Sequence, residues 1–382
     1  MAKTSEDTLT VQQPGPGKAA PDLTAPPTPA LFNLRPYLKL MADKGASDLF
    51  FTPQAPIKIK IEGQIVSVGK EILSVELVNQ IALSVMDEEQ KRHIERELEL
   101  DFAISEQGLG RFRANVFRQR GNLALVLRYI TLDMPRLDDL GLPKVLKELA
   151  LRKRGLMLMV GATGSGKSTT LAAMLNHRNE LMADHIITIE DPIEFLHPNK
   201  KSIVNQRELG QDTHSYARAL KSAMRAAPDV VLIGEIRDQD TMEAAITLAG
   251  TGHLAIATLH ANNTAETLDR IINMFPQGQH RQVLMDMSHY LTAVIAQRLV
   301  IGKDGKRVAA VEVMLNTPHV AELILKGDIG GIKQAIRETT QGDMQSFDMS
   351  LHQLYKDGRI DLERALAHAD SSVDLEARIN FG

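Results

Sequence analysis

The chain has 382 residues, of which 43% are apolar, and 44 Lys and Arg stand against 48 Asp and Glu for a formal net charge of −4. At about 100–200 residues per domain, this length predicts about two domains, each with enough apolar residues for a core. The absence of Cys excludes disulfides, thiolate nucleophiles, Cys zinc sites and iron–sulfur clusters. The slightly acidic balance does not indicate bulk attraction to nucleic acid or anionic lipid, although a local basic patch remains compatible with it.

No apolar run approaches the roughly 18–20 residues of a membrane helix, and the N-terminus lacks the apolar core of a signal peptide. The sequence therefore predicts a soluble cytoplasmic protein without a transmembrane segment. Residues 1–30 contain six of the sixteen prolines and no aromatic residue, a composition that predicts a disordered tail. A dispensable extension is the simpler interpretation of this tail, and a partner-binding segment is the alternative.

Residues 31–132 are predicted to form a small α+β domain, because strands, helices and strands follow one another. Period-two alternation over residues 57–61, followed by a turn at 62–64, predicts a hairpin. The other predicted elements are a helix at 31–44, a strand at 48–51, helices at 74–84 and 87–100, and strands at 111–120 and 123–130.

A linker is predicted at residues 133–143, and the character of the sequence changes after it. Short continuous apolar runs lie at 156–160, 186–189, 230–233 and 254–257. Such runs are typical of parallel strands covered on both faces, so residues 144–305 are predicted to form a doubly wound α/β domain. Within it, residues 282–300 have helical spacing, which favours a core helix over a groove for a partner. Residues 306–382 are predicted to be mostly helical.

The sequence GATGSGKST at 161–169 fits the phosphate-binding pattern G-x-x-x-x-G-K-[ST] between an apolar run and a helical stretch. In that context backbone N–H groups and a helix N-terminus surround the phosphates of a nucleotide. Lys167 is predicted to reach the β- and γ-phosphates of ATP, and the Ser168 hydroxyl to bind Mg²⁺. The predicted nucleotide-binding residues are Gly161, Thr163, Gly164, Ser165, Gly166, Lys167, Ser168 and Thr169.

Acidic residues follow two of the predicted strands: Glu235 after one, and Glu190, Asp191 and Glu194 after another. A phosphate-binding loop needs a neighbouring acid to hold the metal through water and to order the attacking water. Any one of these acids is compatible with a solvated loop. Two acidic strand ends favour a catalytic pair.

Two histidines, His253 and His260, flank another apolar strand. Without a Cys or a second His at metal-ligand spacing, they do not predict a zinc site. They are equally compatible with hydrogen-bonded strand-end residues and with a relay that senses the bound nucleotide.

Five arginines lie on the second strand pair of the N-terminal domain: Arg111, Arg113, Arg118, Arg120 and Arg128. A solvated face is the usual explanation of such a cluster. The alternative is a cation supplied to the γ-phosphate in trans within a ring-shaped NTPase. Nucleic-acid binding is disfavoured, because few aromatic residues are interleaved with the arginines and the net charge is negative.

Six motifs together resemble the secretion-type ATPases, and in particular the retraction motors of type IV pili, PilT and PilU. They are ASDL at 46–49, GATGSGKST, TIEDPIEF at 188–195, VNQRELGQDT at 204–213, PDVVLIGEIRD at 228–238 and TGHLAIATLH at 251–260. The resemblance covers residues 32–350. It implies a homo-hexamer in which each chain has a PAS-like N-terminal domain and a RecA-like P-loop ATPase core.

The resemblance also implies roles for individual residues. Glu194 matches the catalytic glutamate that activates water, which moves the expected base away from Glu190 and Asp191. Glu235 matches the Walker B glutamate at the metal, and His253 and His260 match the His box. By the same resemblance, Arg113 and Arg128 are candidate arginine fingers, and Arg207 is a further candidate.

The subtype is inferred from two differences. Extension and type II secretion ATPases carry a four-cysteine zinc insertion and are longer, so the resemblance favours the retraction branch. PilT carries the signature AIRNLIRE after a Thr-Pro pair, where this chain has HVAELILK at 319–326, which favours an accessory, PilU-type ATPase. The implied partners are a PilT-type motor and a pilus platform protein at the inner membrane. The alternatives are an autonomous PilT-type motor, a DNA-translocating or secretion-assembly ATPase, and a regulator that binds ATP without hydrolysing it.

Overall fold

The computed structural model describes residues 32–61, 63–130, 134–339 and 344–381. The tail predicted for residues 1–30 lies outside the described residues. Within the described ranges, no helix is both long and apolar enough to cross a membrane.

The N-terminal unit is a six-stranded sheet with three helices. Its elements are α1 (Arg35–Lys44), β1 (Asp48–Phe51), β2 (Pro56–Ile61), β3 (Gln64–Ile72), α2 (Val75–Ser84), α3 (Glu88–Glu97), β4 (Glu99–Glu106), β5 (Gly110–Gln119) and β6 (Asn122–Ile130). The strand order is β3-β2-β1-β6-β5-β4, and neighbouring strands are antiparallel. Leu38 and Ile81 from the helices share one buried cluster with Phe51 and Phe112 from the strands. The predicted α+β organisation is confirmed.

The helix predicted over residues 87–100 is too long, and its last part is strand β4. Asp87 and Gln90 form a capping box that starts α3. Leu98 ends the helix with a left-handed backbone, at φ 68°. Beyond it, Leu100 and Phe102 alternate with acidic residues, which is the period of a strand with one buried face. This strand pairs along its whole length with β5.

The second unit contains a seven-stranded sheet. Its elements up to the last strand are α4 (Val145–Ala150), β7 (Gly155–Val160), α5 (Lys167–Leu181), β8 (His185–Glu190), β9 (Ile203–Glu208), α6 (Tyr216–Ala223), β10 (Val230–Ile233), α7 (Gln239–Gly250), β11 (Leu254–Leu259), α8 (Thr264–Asn273), α9 (His280–Tyr290), β12 (Leu291–Ile301) and β13 (Arg307–Leu315). The strand order is β13-β12-β7-β11-β10-β8-β9. All neighbouring pairs are parallel except β12 and β13.

Both faces of this sheet are covered, as the continuous apolar runs predict. Along β7, Leu156 and Leu158 belong to one buried cluster, whereas Met157 and Met159 belong to the cluster on the other face. A strand with alternate side chains in two cores has no solvated face, which is why its sequence shows no alternation. The doubly wound α/β prediction is therefore confirmed.

The prediction of an amphipathic helix over residues 282–300 is wrong for the second half of that range. Helix α9 ends at Tyr290, and β12 starts at Leu291. Residues 293–296 are all buried, so this strand is apolar on both faces. In such a run, apolar residues occur at helical spacings as readily as at strand spacings.

The domain boundary expected between residues 305 and 306 falls inside the hairpin of β12 and β13. Strand β13 pairs with β12 from Arg307 to Leu315. It therefore belongs to the same sheet as β7, the strand that precedes the phosphate-binding loop. The helical region begins after it, with α10 (Pro318–Lys326), α11 (Ile329–Glu338), α12 (Phe347–Lys356), α13 (Leu362–His368) and α14 (Ser372–Phe381).

Candidate active site at the phosphate-binding loop

The loop 161–166 connects the carboxyl end of β7 to the first turn of α5. Gly166 caps α5 with a left-handed backbone at φ 86°, and the helix N-terminus faces the loop. Backbone N–H groups at a helix N-terminus attract anions, because they have no partner within the helix. The local geometry is therefore that of a phosphate site, as the motif predicts.

The loop lies directly against β12, and this contact requires two of its glycines. A Cβ at Gly161 would lie 2.5 Å from the carbonyl oxygen of Gln297, and one at Gly166 would lie 2.7 Å from its Nε2. The Gln297 side chain is 2% exposed. Its Nε2 donates to the Ser165 carbonyl and its Oε1 accepts from the Thr170 hydroxyl, both at 2.8 Å.

Gln297 thus fixes the position of the loop from a strand 127 positions away from Thr170 along the chain. The sequence does not predict this role for Gln297, because no local motif surrounds it and its segment has helical spacing. A buried amide that satisfies two polar groups is costly to remove, since each unsatisfied group costs about 1–3 kcal/mol.

A cavity of about 330 Å³ opens beside the loop, at the carboxyl ends of the parallel strands. In open parallel sheets this edge is where ligands bind. Among the residues that line it are seven that the sequence predicts for nucleotide binding or catalysis: Thr163, Gly164, Lys167, Ser168, Glu194, Glu235 and His260. These seven residues therefore converge on one cavity, although they come from four different strand ends.

The Lys167 ammonium lies within this cavity. Its Nζ donates to the carbonyl oxygens of Gly161 at 2.8 Å and Ala162 at 3.0 Å. Burial lowers the pKa of Lys167, and the nearby carboxylates of Glu235 and Glu194 oppose that shift. The Lys167 ammonium therefore supplies a positive charge within the cavity that a phosphate group can bind.

Two partners hold the Glu235 carboxylate. Its Oε2 lies 2.7 Å from Nη2 of Arg237, and its Oε1 lies 3.2 Å from Nε2 of His260. Arg237 also lies 3.7 Å from Asp191, so it joins the two acidic strand ends. Arg237 lies within the motif at 228–238, but the sequence predicts no role for it. Its place two residues after Glu235 was the available signal, because alternate residues share a face in an extended segment.

Glu190 and Glu194 differ in their surroundings. Burial raises the pKa of Glu190, while hydrogen bonds from the Thr188 hydroxyl at 2.6 Å and the Gln206 amide at 3.1 Å oppose the shift. The Glu190 carboxylate is thus buried and hydrogen-bonded to other side chains of the protein. In the part of the chain that the structure describes, the Glu194 carboxylate forms no ion pair or side-chain hydrogen bond. This favours Glu194 as the residue that accepts a proton from water.

Tyr216 also lines the cavity and has no sequence signal. Burial raises the pKa of its hydroxyl, and Asp191 contributes to the shift. A Cβ at Gly234 would lie 2.9 Å from this hydroxyl. The glycine before Glu235 therefore allows the tyrosine to approach the strand end.

His253 does not line this cavity. It immediately precedes β11, whereas His260 follows the strand, and six extended residues span about 20 Å. Its Nδ1 contacts Thr251 Oγ1 at 3.1 Å and the Leu248 carbonyl at 3.2 Å. His253 therefore lies at the opposite edge of the sheet from this cavity, and its part in a relay that senses the nucleotide stays a prediction.

None of the three candidate arginines lines the cavity of its own chain. Arg113 pairs with Asp101 at 3.1 Å, and Arg128 pairs with Asp48 at 2.8 Å, both within the N-terminal sheet. Arg207 donates to the Asp212 carbonyl at 3.0 Å and closes a turn. A role for these arginines in the site of a neighbouring subunit stays a prediction.

Comparison with known proteins identifies the family. The model of the family described as "Type II/IV secretion system protein" matches residues 29–353. The chain belongs to this family. Within it, the chain is 50% identical to the type IV pilus ATPase PilU of Pseudomonas aeruginosa over 346 residues, covering 90% of this chain and 91% of that protein.

Two further similarities extend this result to the retraction branch of the family. The type IV pilus retraction ATPase PilT of P. aeruginosa is 40% identical over 328 residues, with 86% of this chain and 95% of that protein covered. The crystal structure of the pilus retraction motor PilT with bound ADP superposes with a TM-score of 0.85 at 40% identity, over 90% of this chain and 99% of that one. This likeness confirms the predicted fold class, an N-terminal domain joined to a RecA-like ATPase core.

Proposed function

We propose that this member of the type II/IV secretion family hydrolyses ATP to drive retraction of type IV pili, as an accessory ATPase of the PilU type. The observation that carries the proposal is the convergence of Lys167, Ser168, Glu194 and Glu235 on one cavity. The 50% identity to PilU over 90% of the chain supports the choice of cellular process.

In this mechanism the nucleotide phosphates lie in the loop at the start of α5. Lys167 binds the β- and γ-phosphates and stabilises the charge that develops on them. Glu194 orients a water and accepts its proton as the water oxygen bonds to the γ-phosphorus and the bond to the bridging oxygen breaks. Arg237 and His260 both contact the Glu235 carboxylate and so fix its position after β10.

The oxygen donors of the cavity fit Mg²⁺. The Ser168 hydroxyl and the Glu235 carboxylate line the same cavity, and Mg²⁺ prefers oxygen ligands while keeping several waters. Ser168 would hold the ion directly and Glu235 would do so through water. The ion, when bound, neutralises charge on the β- and γ-phosphates.

The proposal extends to assembly and location. We infer a homo-hexamer that works with a PilT-type motor at the cytoplasmic face of the inner membrane, against the pilus platform protein. In such a ring, Arg113 and Arg128 of one subunit would exchange their acidic partners for phosphate oxygens of the neighbouring site. The accessory role rests on helix α10, which contains residues 319–326 in place of the PilT signature and exposes Glu322, Leu325 and Lys326.

A binding experiment tests the accessory role. We expect the purified protein to hydrolyse ATP and to retain a purified PilT-type hexamer on an affinity resin, more strongly with ATP than without nucleotide. Retention of the platform protein's cytoplasmic part, with no retention of the PilT-type hexamer, would contradict the accessory role and support the autonomous motor. Stimulation of the ATPase rate by double-stranded DNA would instead support the translocating alternative. The Lys167→Ala variant serves as the control for nucleotide dependence.

A further inference from the structure

The side chain of Arg111 connects the N-terminal sheet to the ATPase core. Arg111 lies on β5, and its Nη2 donates to Glu208 Oε2 at 2.9 Å and to Gln211 Oε1 at 3.5 Å. The side chains of Arg111 and Glu208 are only 14% and 5% exposed. Within the described ranges, Arg111 is the residue whose hydrogen bonds and ion pair join residues 32–130 to residues 134–381.

Glu208 carries this connection to the catalytic loop. Glu208 Oε2 accepts a hydrogen bond from Arg111, and it also accepts one from the backbone N–H of Ile193 at 3.0 Å. Ile193 is buried and immediately precedes Glu194. One carboxylate oxygen therefore binds both the N-terminal unit and the peptide next to the residue proposed to activate water.

The turn that presents Glu208 is tightly closed. The backbone N–H of Glu208 donates to the Asp212 carboxylate at 2.8 Å, and the Asp212 N–H donates to the Glu208 carbonyl at 2.9 Å. The Arg207 guanidinium binds the Asp212 carbonyl, and the Leu209 N–H donates to the carbonyl of Glu190 at the end of β8. These four hydrogen bonds hold the backbone on either side of Glu208 in place.

We propose that Glu208 is a positioning residue for Glu194, and that Arg111 keeps it in place only while the N-terminal unit lies against β9. The proposal rests on the ATPase function proposed above. When one partner of a buried ion pair leaves, the remaining charge is uncompensated, which is strongly unfavourable. If the N-terminal unit moves, the Glu208 carboxylate therefore turns towards water and releases the Ile193 N–H. The position of the N-terminal unit thereby sets whether the site is competent for hydrolysis.

Four substitutions separate the two contacts of Glu208. Glu208→Ala removes both of them, whereas Glu208→Gln keeps an oxygen for the Ile193 N–H and removes the charge that pairs with Arg111. Arg111→Ala removes the cation, and Arg111→Lys restores a positive charge. The matched control is Arg118→Ala, because Arg118 lies on the same strand, is exposed and, among the described residues, its side chain hydrogen-bonds only to the Gly121 carbonyl.

We expect kcat for ATP hydrolysis to fall about 10- to 100-fold in Glu208→Ala and Arg111→Ala, the range expected when a reacting group is displaced by about 1 Å. Glu208→Gln should lie between these variants and the wild type. KM for ATP should change much less, because Glu208 does not line the cavity and, among the described residues, forms no hydrogen bond or ion pair with residues 161–169. Arg111→Lys should recover most of the rate, and Arg118→Ala should match the wild type.

Hydrogen exchange of the peptide that covers residues 188–195 supplies a readout independent of hydrolysis. Exchange should be faster in Arg111→Ala than in the wild type or in Arg118→Ala, whether or not the wild type hydrolyses ATP. A wild type without hydrolysis but with this exchange pattern would count against the proposed function alone. Unchanged exchange in Arg111→Ala, or equal losses of kcat and ATP affinity together with lower thermal stability, would overturn the positioning role.

Discussion

The Lys167→Ala variant is expected to lose ATP hydrolysis by at least about 100- to 1000-fold, the range seen when one preorganised group that stabilises transition-state charge is removed. The Lys167 ammonium donates hydrogen bonds to the carbonyl oxygens of Gly161 and Ala162 in the phosphate-binding loop. Lys167 is the only lysine or arginine in the GATGSGKST segment at 161–169. Its loss leaves the β- and γ-phosphates without that charge. The measurement is phosphate release by the purified variant at saturating ATP.

The control for this substitution is Lys39→Ala. Lys39 lies on α1 and its side chain is 61% exposed; among the described residues it pairs only with Asp43 of the same helix. Exposed pairs of this kind contribute little to stability. Its hydrolysis rate should equal that of the wild type. Undiminished turnover in Lys167→Ala would contradict the assignment of the loop as the hydrolytic site.

Glu194→Gln is expected to retain ATP binding and to lower kcat about 100- to 10,000-fold, which is the contribution of a positioned general base. The substitution keeps the size of the side chain but removes its ability to accept a proton from water. Stopped-flow binding of a fluorescent ATP analogue measures the first property, and single-turnover hydrolysis measures the second.

Glu190→Gln is the matched comparison, since Glu190 lines the same cavity. A glutamine oxygen at this position can still accept from Thr188 and Gln206, so the rate should fall by less than about tenfold. The opposite order, with Glu190→Gln inactive and Glu194→Gln active, would make Glu190 the base. The interpretation of Glu194 would then be wrong.

The sequence was sufficient for the parts of the site that short segments determine. The strand, glycines and helix of residues 155–181 are contiguous, so the motif specifies the loop geometry without reference to the rest of the fold. The acidic strand ends were also predictable, because the carboxyl ends of parallel strands meet at one edge of a sheet. The placement of Glu194 and Glu235 around one cavity follows from that rule.

Other parts depend on contacts between distant segments, and no local pattern encodes them. Gln297 reaches the loop only because β12 lies beside β7, and its apolar neighbours are buried on both faces. The pair of Arg111 and Glu208 joins residues 97 positions apart. The order of His253 and His260 about their strand, in contrast, follows the rule of the carboxyl ends: only His260 comes after the strand and lies at the edge where the cavity opens.

Retraction of single pili in the source bacterium tests the central claim most directly. In a strain that lacks this protein but keeps a PilT-type motor, pili should retract against low load and stall against high load in an optical trap. Wild-type protein should restore retraction against high load, and the Glu194→Gln variant, expressed at the same level, should not. Pili that stay fully extended in the deletion strain would contradict the accessory role, and full restoration by Glu194→Gln would contradict the claim that ATP hydrolysis by this chain drives retraction.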